Sequence, residues 1–128
     1  MMINDDNVMA EVSAEFNAYE AALMANDIEA LDRFFWRSPL AVRFGAGESL
    51  FGFEQIAAFR SARAGGSPAR TLQATQVVCF GTDHAVTTTE FKRADDKRTG
   101  RQTQVWVRFE GDGWRIVSAH VSFSAEKS

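Results

Sequence analysis

The chain has 128 residues, 45% of them hydrophobic and 24% charged, with a formal net charge of -3, a balance that fits one globular domain with one core. An acidic chain without clustered Lys and Arg is poorly suited to a phosphate backbone, which argues against a nucleic-acid partner. No stretch approaches the ~18 apolar residues of a membrane span, and Met1-Met2-Ile3 runs into Asn4-Asp5-Asp6 without the basic and apolar regions of an export signal, so the cytoplasm is the expected compartment.

Asn4, Asp5 and Asp6 offer capping oxygens, and Val8, Val12, Phe16, Tyr19 and Leu23 then recur at helical steps. Asn26-Asp27 interrupts this amphipathic helix. Asp27 can cap a second one, whose apolar side is Ile28, Leu31, Phe34 and Phe35 and which Ser38-Pro39 ends. Leu40–Phe44 reads as a short strand, Gly45-Ala46-Gly47 as a turn, and Glu48–Phe51 as a second extended piece. A third helix follows Gly52, with Phe53, Ile56, Phe59, Arg60 and Arg63 on its inner side, and ends at Gly65-Gly66-Ser67-Pro68.

Four β-rich runs complete the chain: Arg70–Phe80, His84–Arg93, Arg101–Phe109 and Trp114–Phe123. They predict an antiparallel meander, with a loose tail over Ala125–Ser128. Helices and strands are segregated, which indicates an α+β fold: a curved antiparallel sheet covered by three helices, as a single domain over residues 1–128. Three helices leave one face of such a sheet uncovered, so a homodimer is expected.

The sequence lacks a G-x-G-x-x-G fingerprint, a P-loop, H-E-x-x-H and G-x-S-x-G. His84 and His120 are far apart with no acidic residue at ligand spacing, and the single Cys79 lies in the apolar run Val77–Phe80. No metal site is therefore expected, and Cys79 reads as a buried structural thiol.

What remains is a set of polar residues on inward-facing elements. Tyr19 lies between Phe16 and Leu23 on the first helix, so its ring is buried, either as a core tyrosine or as a functional hydroxyl. Arg43 interrupts Ala41-Val42-Arg43-Phe44 and requires an anion there, either a substrate carboxylate or a glutamate such as Glu48 or Glu90. Gln102, Gln104 and Trp106 share one face of their strand. Unbroken alternation groups His120 with Trp114, Ile116, Ser118 and Ser122, and Glu90 with Val86 and Thr88. These polar sets line either a pocket or a sheet-to-sheet contact. Arg60 and Arg63 either support an anionic ligand or are solvated or interfacial.

Several segments carry a family resemblance: Tyr19–Leu23, Leu31–Trp36, Val42–Gly45, Gly47-Glu48, Gly52–Arg60, Gly100–Trp106 and Trp114–Ser122. Together they resemble a branch of the SnoaL-like, nuclear transport factor 2-like superfamily. The branch includes the oxalurate-catabolism protein and the 1,3-dicarboxyurea decarboxylase of cyanuric acid breakdown. The resemblance implies a cone-shaped domain and a cytoplasmic homodimer acting without metal or organic cofactor on a small anionic urea-like substrate. It points to a carboxy-lyase with Tyr19 and Arg43 essential, Tyr19 delivering a proton to the urea nitrogen and Arg43 orienting the substrate. Gln104 and His120 would bond its amide edges and Arg70 would hold a second carboxylate. Two other readings are a non-catalytic accessory protein for a partner amidohydrolase, and an isomerase of the ketosteroid-isomerase type with Glu90 as its base.

Overall fold

A computed structural model describes residues 1–125. Beyond Ala125, the expected tail lies outside the described residues. Helix α1, Asp6–Ala25, starts where the Asp5 carboxylate accepts from the backbone N–H groups of Asn7 and Val8 at 3.0 and 3.2 Å, and it buries Val8, Val12, Phe16, Tyr19 and Leu23 as the spacing predicts. Asp5→Ala should cost about 1 kcal/mol, the usual worth of an N-cap, read as a lower midpoint in urea unfolding. Asn26 ends α1 in the left-handed conformation, at φ 52°. Asp27 then caps α2, Ile28–Phe34.

Strands β1, Val42–Phe44, and β2, Ser49–Phe51, precede α3, Phe53–Ala62. The long strands are β3, Thr71–Phe80, β4, His84–Lys92, β5, Gly100–Phe109, and β6, Gly113–Phe123. All six join one sheet in the order β2-β1-β6-β5-β4-β3. The meander is antiparallel as expected, while β1 lies parallel to β6 at the other margin of the meander. This pairing sets Arg43 beside Ala119, on the inner face of the sheet. Among the described residues no helix is long and apolar enough to cross a membrane.

Two irregularities bend the sheet. One lies in β3 between Gln73 and Gln76, where Ala74 has φ 52°. The other lies between β5 and β6, where Val105 pairs with Ser118 but Trp106 pairs with Ile116, leaving Val117 as the extra residue. The second reverses the alternation of β6. Trp114 and Ile116 face inward before the bulge and Ala119 after it, whereas Ser118 and His120 are exposed. The helices cover the inner face, and Trp106, Phe35, Leu31, Ile56 and Ile116 form its apolar centre. Cys79 is buried and unpaired, and burial pushes its thiol up.

Candidate functional site

The inner face of the sheet changes chemistry along its strands. Ala85 and Trp106 continue the apolar core, but Thr87, Thr89, Gln102 and Gln104 are also buried there, and cross-strand pairing sets Thr87 opposite Gln104 and Thr89 opposite Gln102. Buried amides and hydroxyls are costly unless bonded, so this polar end needs partners. Arginines converge on it from four elements of the chain. Arg43 comes from β1, Arg60 and Arg63 from α3 and its end, Arg70 from the residue before β3, and Arg93 from the residue after β4. With Tyr19 of α1 they enclose a cavity of about 40 Å³, room for a few water molecules at roughly 10–15 Å³ each.

Three of these guanidiniums have carboxylate partners. Arg70 is held in a fork by Glu20, with Nε and Nη2 donating at 2.9 and 2.7 Å, and its side chain is only 3% exposed. Arg60 donates to Asp32 at 3.0 Å and Arg43 to Glu48 at 3.1 Å. Arg63 and Arg93 have no carboxylate partner among the described residues, and the Nε of each is buried without a hydrogen bond. Burial lowers the affinity of both for their protons, and neighbouring guanidiniums add to this: Arg43 and Arg60 beside Arg63, Arg70 beside Arg93. A guanidinium nevertheless keeps its proton in a protein, so both stay charged beside the cavity, with Glu48 acting on Arg63 and Asp96 on Arg93 without a direct ion pair among the described residues.

Aromatic rings support the cations. The Phe91 ring, fully buried, lies 4.4 Å from the Arg70 guanidinium carbon and 5.4 Å from that of Arg93. Gly100, its cross-strand neighbour, makes room for it, since a Cβ at position 100 would run into that ring. The Tyr19 ring meets Phe34 edge-on at 5.6 Å and Phe35 at 6.4 Å. Its ring is thus core, its hydroxyl has no hydrogen-bond partner among the described residues, and the residue lines the cavity.

The structure therefore brings Tyr19, Arg43, Arg70 and Gln104 to one cavity. It does not bring His120 there. The bulge in β6 turns His120 outward, where its ring stacks edge-on against Phe44 at 5.6 Å. Arg70 lines the cavity, but Glu20 already neutralises it. Glu90 lies on the outer face opposite Arg101 and accepts from Gln73 at 3.1 Å, so it contributes no base to the interior. Arg93 was not singled out by sequence, although the inward series Ala85, Thr87, Thr89, Phe91 extends to it by simple alternation. Larger hollows exist, one of about 570 Å³ along the alanines of α1 and another of about 530 Å³ beside Phe51 and Phe53, but both are open and neither is lined by Tyr19 or Arg43.

The chain is similar throughout its length to proteins of known structure. A DUF3225-family protein of unknown function from Pectobacterium atrosepticum is 46% identical, with 96% of this chain and 95% of that one covered and a TM-score of 0.93. A cystatin-like fold protein from Burkholderia xenovorans is 44% identical over 99% of each chain, with a TM-score of 0.94. An NTF2-like superfamily protein from Salmonella enterica is 27% identical over 95% of this chain and 94% of that one, with a TM-score of 0.75. No curated protein matches. The AtzH-like family model covers residues 1–127, and the chain belongs to that family, within the NTF2-like superfamily whose curved sheet and helices it shares.

Proposed function

We propose that the protein is a small cofactor-independent decarboxylase of an N-carboxylated urea-like acid of the 1,3-dicarboxyurea type, working in the cytoplasm. The observation that carries this reading is the cavity lined by both Tyr19 and Arg43 together with four further arginines, a cationic lining that suits a small dianion. Membership of the AtzH-like family, whose namesake acts in cyanuric acid breakdown, supports it.

The chemistry asks little of the protein beyond placement. The bond between the carboxylate carbon and the urea nitrogen breaks, carbon dioxide leaves, and the electron pair stays on the nitrogen, delocalised toward the urea carbonyl. Tyr19 gives its proton to that nitrogen and is reprotonated from water. Arg43 orients the carboxylate through paired N–H donors, and amide N–H groups facing the carbonyl oxygen stabilise the charge that develops there. The cavity at rest is smaller than such a substrate. Admission therefore requires side chains to move. The test is carbon dioxide release from freshly generated 1,3-dicarboxyurea, faster with protein than in buffer. No acceleration would sink the reading.

The small resting volume also favours a second reading, a non-catalytic accessory protein for a partner amidohydrolase. Its test is stable co-purification with such an enzyme, and failure to find a complex counts against it. An isomerase is not proposed, since Glu90 is outside the cavity and the carboxylates that partner Arg43, Arg60 and Arg70 are all engaged. In either retained reading the protein is a homodimer joined through the outer face of the sheet, where Phe51 is 58% exposed. Sedimentation should give twice the chain mass of 14.2 kDa, and a monomer at micromolar concentration would refute this.

A further inference from the structure

The two buried glutamines of β5 have their oxygens tied to the protein. Arg70 Nη2 lies 3.1 Å from the Gln102 side chain. A guanidinium has donors only, so the Gln102 atom facing it is Oε1, and Nε2 must point the other way. Arg70 cannot turn aside, because Glu20 grips it in a fork and Phe91 stacks on it. Gln102 is 5% exposed and its Nε2 is buried without a partner.

Gln104 is oriented by a separate relay. The Trp106 indole N–H, which can only donate, donates to Thr87 Oγ1 at 3.0 Å. The single hydrogen of that buried hydroxyl then goes to Gln104 Oε1 at 3.2 Å, since the reverse orientation would leave it without an acceptor. Gln104 Nε2 is left without a hydrogen bond among the described residues. Both glutamines, Arg63 and Arg93 line the cavity, the Gln102 Nε2 and the Nε of both arginines are buried without a hydrogen bond, and among the described residues no carboxylate lines it. The hydroxyls of Tyr19 and Ser67 are its side-chain acceptors.

We infer that the cavity selects its ligand by hydrogen-bond polarity, accepting a compact dicarboxylate whose oxygens face the two glutamine NH2 groups, with Gln102 as a specificity-determining donor. This rests on the cavity being the ligand site proposed above, but not on any turnover there. Glu20 and Arg70 act as positioning residues, holding the Gln102 amide in the one orientation that offers donors. A ligand bearing an amino group at the same edge would set donor against donor and leave the orphaned groups unmet.

Malonate, a stable small dicarboxylate, tests this by calorimetry and by NMR of the side-chain amides. The wild type should bind malonate, and the Gln102 NH2 pair, assigned by its absence in Gln102→Glu, should shift and exchange more slowly on binding. Gln102→Glu keeps the acceptor for Arg70 and should bind malonate at least about tenfold more weakly, as expected when a donor facing the ligand becomes an acceptor. No malonate binding by the wild type, binding that leaves the Gln102 NH2 pair unmoved, or equal affinity in the variant each overturns the inference. A protein that binds malonate in this way yet releases no carbon dioxide would refute the decarboxylase alone.

Discussion

Tyr19→Phe is expected to slow carbon dioxide release from 1,3-dicarboxyurea by about 10²–10⁴-fold, the range that a positioned proton donor supplies, with little change in KM. The structure makes this substitution unusually clean. The ring packs edge-on against Phe34 and Phe35, which Phe preserves, and the hydroxyl makes no hydrogen bond within the described protein, so its loss should leave the unfolding midpoint nearly unchanged. Arg43→Ala is expected to act differently, raising KM and lowering kcat/KM by about 10²-fold or more as the oriented carboxylate contact is lost. Its partner Glu48, 25% exposed, can turn to solvent without unfolding the chain. Arg43→Lys should not restore the wild-type value, because an ammonium offers no planar fork. Rates equal to wild type in Tyr19→Phe and Arg43→Ala, measured with freshly generated substrate, would remove both residues from the chemistry.

Glu20→Ala is expected to destabilise the fold by about 3–5 kcal/mol, the cost of stranding a buried charge. Arg70 is almost wholly enclosed and leans on Glu20 through two hydrogen bonds, so no solvent replaces the lost carboxylate. The contrast is Asp83→Ala. Its bond to Arg108 joins side chains 51% and 43% exposed, and its loss should cost between about 0 and 1 kcal/mol. Guanidinium unfolding of both variants against wild type decides the point. A Glu20→Ala protein as stable as Asp83→Ala would mean that water reaches Arg70, and that Gln102 is not held as described.

The parts of the site that follow local periodicity were legible in the sequence. Tyr19 falls inward because the helical spacing from Val8 to Leu23 leaves no alternative, and Gln102 and Gln104 follow the two-residue alternation of β5. Arg43 was legible as a cation in need of an anion, and Glu48 was one of the partners anticipated for it. His120 was misplaced for a specific reason. A bulge needs only one extra residue, and Val117, which supplies it, is an ordinary strand former with nothing to mark it. The partners of Arg60 and Arg70 were invisible for another reason. Asp32 and Glu20 lie on helices distant in sequence from the arginines they neutralise, so only packing brings them together. The parallel pairing of β1 with β6, which carries Arg43 to the cavity, is likewise a long-range choice that no local pattern encodes.

We propose that a small dianion is bound and decarboxylated inside the arginine-lined cavity. Inhibition of carbon dioxide release by malonate tests it most directly, because it joins binding at that cavity to turnover. The wild type is expected to accelerate release over buffer, malonate to inhibit competitively, and its inhibition constant to equal its dissociation constant from calorimetry. Acceleration that persists under saturating malonate, or no acceleration at all, would contradict it.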